Sequence, residues 1–311
     1  MIFYTKRRDD MEILTIKNLT KKYDKVEVLR NINMHVTEGE IYGLIGKNGA
    51  GKTTLMKAIL GLTDIAGGEI KLWGKTISNM PSLYNRIGAN LDFQGFYPEL
   101  SAYENLKVFS NIRGVTKKYA IEEALEKVDL FNEKDKKYKR FSLGMKKRLG
   151  LANAIIHEPE FIILDEPTNG LDPIGISQFR EYLMKISKEQ ETTIMISSHL
   201  LSEIDIMADR IGVLNEGVLI AEKSIEEIRQ GNRTHIKILV TNGELTCGIL
   251  EKIFHVEDYE VVDKNTIYIY NLKLNREEFS KELAKYGVGI MEIGVEEENL
   301  EAYFKKIIQG D

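Results

Sequence analysis

Gly46-Lys47-Asn48-Gly49-Ala50-Gly51-Lys52-Thr53 decides how this chain is read. Its spacing, Gly, four residues, then Gly-Lys-Thr, is that of a phosphate-binding P-loop. Glycines let the backbone curl until its N–H groups converge on an anion, because they accept φ > 0 and present no Cβ to a phosphate. Lys52 then sets a compact positive charge against the β- and γ-phosphates, and the Thr53 hydroxyl is a ligand for Mg²⁺. The flanks agree with the motif. Glu40-Ile41-Tyr42-Gly43-Leu44-Ile45 predicts a short buried strand entering the loop. Thr53-Thr54-Leu55-Met56-Lys57-Ala58-Ile59-Leu60 predicts a helix leaving it, whose N-terminal dipole favours an anion.

The next informative stretch is Glu160-Phe161-Ile162-Ile163-Leu164-Asp165-Glu166-Pro167. A fully apolar run predicts a central parallel strand buried on both faces. Two carboxylates at its C-terminal end stand where open α/β sheets bind ligands. Asp165 is the candidate to hold Mg²⁺, directly or through water. Glu166 is the candidate to orient or deprotonate an attacking water. Thr192-Thr193-Ile194-Met195-Ile196-Ser197-Ser198-His199 predicts another buried strand. His199 alone among the five histidines sits at the sheet's C-terminal edge; His35, His157, His235 and His255 receive no role.

Upstream of the P-loop, residues 12–17 alternate apolar and polar as a half-buried strand does. Tyr23 follows, with two readings: an aromatic that stacks on a base, or a half-exposed tyrosine at a strand end. Between the two motifs, Gly67–Gly74 predicts a strand, and Arg86 to Pro98 a strand running into an aromatic-rich loop. Residues 101–156 are helical in pattern, opened by a capping box at Ser101-Ala102-Tyr103-Glu104. The basic stretch Lys134–Arg140 predicts a solvated turn. Ser142-Leu143-Gly144-Met145-Lys146-Lys147-Arg148 begins a helix; its serine and glycine can offer donors to an anion, although ordinary caps use the same residues.

A composition shift follows Gln230-Gly231-Asn232-Arg233. Beyond it the expectation is strand 235–240, helix 244–254, strands 257–262 and 266–270, helix 276–286, strand 289–293 and a closing helix 298–308. That order suggests a small split βαβ unit. Glu296-Glu297-Glu298 reads as a solvated helix start.

At 311 residues the chain has room for about two domains. A net charge of −5 argues against a non-specific nucleic-acid binder. The longest apolar runs, such as Phe161–Leu164, are far shorter than the ~20 residues a bilayer requires. The single cysteine, Cys247, excludes an intrachain disulfide and any cysteine-pair metal site. Ile2-Phe3-Tyr4 precedes Lys6-Arg7-Arg8, the reverse of a signal peptide's order. Residues 1–11 are expected to be an N-terminal extension.

Taken in order, these motifs resemble the nucleotide-binding subunit of an ABC transporter, over residues 12–230. The resemblance implies an α/β P-loop NTPase of ABC type with a helical subdomain, followed by a small α+β C-terminal domain at 231–311. It implies a Walker A loop at Gly46–Thr53, a Walker B strand ending at Asp165-Glu166, and a D-loop at Asn169-Gly170-Leu171-Asp172. It makes His199 the switch histidine and Tyr23 the adenine-stacking aromatic. Lys52, Glu166 and His199 become the catalytic set. Lys47, Asn48, Ala50 and Thr54 join the glycines around ATP, with Ser142, Leu143, Gly144, Met145 and Asp172 added from the signature and D-loop. Thr53, Asp92 and Asp165 become the Mg²⁺ ligands.

Two positions depart from the family pattern. Leu143 replaces the middle glycine of the usual Leu-Ser-Gly-Gly-Gln signature, and Asp92 stands where the Q-loop glutamine is expected, with Gln94 two residues late. Both departures resemble the bacitracin-resistance and lantibiotic-immunity exporters. That resemblance implies a separate integral-membrane permease, a head-to-tail homodimer or heterodimer of ATPase subunits, an antimicrobial peptide as cargo, no nucleic acid, and a cytoplasmic place against the inner membrane face. A drug-sensing module linked to a kinase, and a soluble non-transport ATPase, are the alternative readings; a small-molecule kinase has no use for the signature helix or His199.

Overall fold

The computed structural model describes residues 11–77, 81–91, 95–231 and 234–296, together with Phe304 and Ile307. The chain divides into two compact units, Met1–Ile225 and Glu226–Asp311.

The first unit opens with β1 (Glu12–Tyr23) and β2 (Val26–Thr37), followed by β3 (Ile41–Ile45), α1 (Lys52–Ile59), β4 (Gly67–Leu72), β5 (Lys75–Thr76) and β6 (Ile87–Asn90). Three helices follow: α2 (Ala102–Ile112), α3 (Ala120–Lys127) and α4 (Leu143–Ile155). The chain then runs through β7 (Phe161–Leu164), α5 (Pro173–Gln190), β8 (Thr193–Ser198), α6 (Leu201–Met207), β9 (Arg210–Asn215) and β10 (Val218–Ser224). One sheet has the order β2-β1-β4-β5 and is antiparallel. The other has the order β10-β9-β3-β8-β7-β6, parallel from β9 to β6, with β10 antiparallel at its edge.

Every residue of β3, β7 and β8 is buried. That is why β7 is apolar throughout and β3 and β8 are largely so, with the polar Ser197 and Ser198 at the site end of β8, as the sequence predicts for parallel strands covered on both faces. Leu55 and Ile59 of α1 share one core with Ile16 and Leu29 of the antiparallel sheet and with Phe161 and Met195 of the parallel one. Each such side chain contributes about 1.5–3 kcal/mol on burial, so α1 is fixed from both sheets. Register then sets the site. Ile45 pairs with Ser198, and Leu164 with Ile196. The P-loop, the Asp165-Glu166 pair and His199 therefore leave adjacent strands at one edge.

The helical segment is as expected at its entry, where Ser101 and Glu104 form the full capping box. The basic stretch is a solvated turn with one anchor. Lys136 pairs with Glu133 and Lys139 with Glu99 at the surface, while Tyr138 is buried beside Phe96 and Phe141.

After α7 (Ile225–Gly231), the second unit contains β11 (His235–Val240), α8 (Gly243–Lys252), β12 (Tyr259–Val261), β13 (Thr266–Ile269), α9 (Arg276–Lys285) and β14 (Ile290–Glu296). Its sheet order is β12-β13-β11-β14, with every neighbouring pair antiparallel. β13 thus lies between β11 and β12, which is the split βαβ arrangement. Ile236, Ile238, Leu250, Phe279 and Leu283 form its core. The expected helix 298–308 lies outside the described residues except at Phe304 and Ile307, which are helical.

Candidate functional site

Two glycines of the P-loop do work no other residue can do. Gly51 caps α1 with φ of 110°, and a Cβ there would meet Leu29 Cδ2 at 2.9 Å. Gly46 lies so close to the Leu214 carbonyl that a Cβ would stand 2.4 Å from its oxygen. The loop is thereby pinned from behind by β2 and β9, while Lys47, Asn48 and Gly49 are exposed. Ala50 is buried. Thr53 is exposed and Thr54 half-buried, both on the first turn of α1.

Lys52 is buried, with its ammonium donating to the Gly46 carbonyl at 2.7 Å and lying 3.0 Å from Glu166 Oε1. Thr53 Oγ1 donates to Asp165 Oδ2 at 2.5 Å. His199 Nδ1 and Glu166 Oε2 share a hydrogen bond of 2.7 Å. The three catalytic candidates and two of the three metal candidates are thus one connected group. Burial pushes the Glu166 carboxyl up, but its contacts with His199 and Lys52 outweigh that and hold it below the usual glutamate range. Glu166 is therefore a carboxylate, able to accept a proton. Its backbone has φ of 45° immediately before Pro167. Left-handed φ is uncommon for a residue with a side chain, and proline restricts its predecessor further. Such strain persists only where the surroundings hold it, and it clusters at working sites.

The signature and D-loop residues gather elsewhere in the unit. Ser142, Leu143, Gly144, Leu171 and Asp172 line one cavity together with Ile174 and Gly175. Here Ser142 caps α4 by accepting from the Met145 N–H, and Asp172 caps α5 by accepting from the Gly175 N–H at 2.8 Å. Met145 turns its side chain into the core. Leu143 is 44% exposed and lies against Gly170, where its Cδ2 would be 2.9 Å from an added Cβ. Tyr23 is 46% exposed at the end of β1, with the Lys21 ammonium 4.5 Å from its ring centre. Asp92 lies outside the described residues.

Two further residues hold this group directly and a third ties together the chain segments beside it; sequence reading passed over all three. Ser197 Oγ donates to Asp165 Oδ1 at 2.5 Å and accepts from the Glu166 N–H at 2.8 Å. Lys147 Nζ donates to the Glu166 carbonyl at 2.9 Å. Glu203, buried, accepts from Thr168 Oγ1 at 2.6 Å and from Ser198 Oγ at 3.4 Å. The available signal was position: Ser197 is the penultimate residue of a buried strand, and Lys147 is a lysine inside the helix capped by Ser142.

Among the described residues no cluster of three or more His, Cys, Asp or Glu side chains can hold a metal ion. The Thr53 hydroxyl and Asp165 carboxylate are the oxygen donors at the P-loop. That sparse set suits Mg²⁺, which keeps water ligands and binds phosphate oxygens beside one or two carboxylates. Gly49 has φ of 84°, a conformation that side-chain-bearing residues rarely adopt, so the loop's curl depends on a glycine there.

Comparison with known proteins agrees with this geometry. The ABC transporter family model matches residues 29–169. The chain is 47% identical over 299 residues to the bacitracin transport ATP-binding protein BcrA of Enterococcus faecalis, covering 96% of this chain and 97% of that protein. It is 45% identical over 214 residues to the lantibiotic transport ATP-binding protein SrtF of Streptococcus pyogenes, covering 69% of this chain and 92% of that one. Among solved structures, cbiO1 of Clostridium perfringens, part of the transporter complex cbiONQ, superposes with a TM-score of 0.64 at 27% identity, over 80% of this chain and 98% of its own. This chain belongs to the ABC transporter ATP-binding proteins, which hydrolyse ATP at a site of this kind.

Proposed function

We propose that the chain is the ATP-hydrolysing subunit of an exporter that protects its cell from an antimicrobial peptide of the bacitracin or lantibiotic class, working with a separately encoded membrane permease. The observation that carries this reading is the near-full-length similarity to a bacitracin transport protein, which extends through both units of the chain. We take residues 12–230 as the ATPase domain and 231–311 as an accessory domain. No helix among the described residues is long and apolar enough to cross a membrane. Passage through the bilayer then falls to the permease, with this subunit held at its cytoplasmic face.

The residues divide the work as follows. Lys52 exchanges its carbonyl and Glu166 partners for phosphate oxygens. Glu166, released from Lys52, orients the attacking water and accepts its proton. His199 holds the Glu166 carboxylate in position through its Nδ1 bond. Thr53 and Asp165 would hold Mg²⁺, with Asp92 as a third ligand, and the ion would supply positive charge to the phosphates. Tyr23 stacks on adenine with the ring face that Lys21 leaves open. Two copies pair head to tail, so that Ser142–Met145 and Asp172 of one complete the P-loop site of the other.

The test is resistance. A sensitive host carrying this chain and its permease is challenged with a panel of bacitracin and lantibiotic peptides, beside a Lys52→Ala strain. Protection by the wild type against at least one peptide, lost with Lys52→Ala, is expected. Equal susceptibility of the two strains across the panel contradicts the proposed cargo class.

A further inference from the structure

The peptide unit of Glu166 is held on both sides by side chains. Its N–H donates to Ser197 Oγ, and its carbonyl accepts from Lys147 Nζ at 2.9 Å and from the Asn169 N–H at 3.2 Å. The bond from the Asn169 N–H closes the turn that leads into the D-loop. Lys147 is the unusual member. It is a lysine only 4% exposed, on the helix whose first residues are Leu143 and Gly144. Burying an ammonium is costly, and an apolar residue of that length would fill the same space at less cost. What the ammonium supplies that such a residue lacks is a donor to the carbonyl of a residue with left-handed φ.

We propose that Lys147 is a positioning residue for hydrolysis: it ties α4, the helix that carries the signature segment, to the backbone of Glu166, so that the placement of the general base depends on where that helix sits. The inference rests on the proposed role of Glu166. If the signature segment of one copy closes on the nucleotide of the other, α4 is the element that registers closure, and Lys147 carries its position to the same copy's Glu166 carbonyl. Each copy thereby readies its own base as it completes its neighbour's site. Displacement of a reacting group by about 1 Å can cost about 10²-fold in rate, so a hydrogen bond that fixes the base's backbone has room for a large effect.

The test uses K147M, which keeps the length and apolar stem of lysine but removes the donor. Replacing a buried charge by an apolar side chain is often neutral or stabilising, so the variant is expected to fold, with a melting temperature no lower than wild type and unchanged affinity for a fluorescent ATP analogue. The expected result is kcat lower by about ten- to hundredfold with KM for ATP little changed. In an E166Q background the same substitution is expected to add no further slowing, because Lys147 acts through Glu166. Unchanged kcat in K147M, or an equal additional slowing on top of E166Q, overturns the proposal. Full turnover by E166Q itself strikes at the role of Glu166 instead. Should K147M fail to fold, K147L, which also lacks the donor, takes its place in the same cycle with the same expected and overturning results.

Discussion

The P-loop group and the Ser142–Asp172 cavity differ in character. Around Lys52 the polar groups answer one another. The lysine, two carboxylates, a threonine, a serine and a histidine form one network, with Lys52 and Ser197 buried and the two carboxylates half-buried. Around Ser142 the polar groups are spent on their own helices, Ser142 on α4 and Asp172 on α5, while Leu143 and Ile174 stand 44% and 69% exposed beside them. One half is finished, its polar groups paired with one another; the other borders its cavity with exposed apolar side chains. Scattered exposed apolar residues need no explanation, but exposed apolar side chains bordering a cavity with helix N-termini fit a face that closes on another molecule. A polyphosphate seated in the P-loop of a second copy, flanked by that copy's own surface, has the anionic and apolar character such a face would meet.

The contrast can be broken from either side. Glu166→Gln acts on the finished half and should leave ATP binding intact while slowing hydrolysis by about 10²-fold or more, measured as phosphate release under saturating ATP; turnover at the parental rate removes Glu166 from its role. Leu143→Glu acts on the other half. It sets a carboxylate where a neighbour's phosphates would come, and like charges across an interface cost several kcal/mol. ATPase activity should fall by about tenfold or more on that basis, with ATP binding to the monomer unaltered. Because Leu143 is exposed, the fold should be almost untouched, which thermal melting checks. Ser142→Ala and Asp172→Ala remove helix caps. Each should cost about 1 kcal/mol, a fall in melting temperature of roughly 2–4 °C for a domain of this size. A larger loss would mean these residues also support the core.

The smallest expected effect concerns pH. The Glu166 carboxyl is held below its usual value in the folded chain, so the folded state binds its proton less readily than the unfolded state does. Its stabilising share is complete above the ordinary glutamate pKa of about 4.3 and is lost as pH falls through the lower native value. The stability gap between wild type and Glu166→Gln should thus be constant at neutral pH and narrow only in acid. A gap that widens as pH falls contradicts the charge assignment.

Sequence patterning revealed the parts of this fold whose signal is local. The P-loop glycines, the buried strands β3, β7 and β8, the Ser101–Glu104 box and the order of elements in the second unit could all be read ahead of the structure. β2, α5, α6, β9 and β10 could not. The β1–β2 pairing carries several register shifts, which break the alternation that announces a strand. In β10 no residue is buried, so no apolar face marks it. In the site, residues named by motif spacing were visible, whereas Ser197, Lys147 and Glu203 were not. Their roles depend on which strand ends become neighbours, and Lys147 is brought to Glu166 only by the packing of α4. Ser142 and Asp172, expected at the nucleotide, also serve as helix caps, a use their residue types already allowed.

The central claim is that ATP joins two copies of this subunit through these unlike faces. Analytical ultracentrifugation of Glu166→Gln with Mg²⁺ and ATP, beside the same protein with ADP, tests it most directly. A dimer with ATP and a monomer with ADP is the predicted result. A strict monomer in both, with the permease present as well, contradicts it.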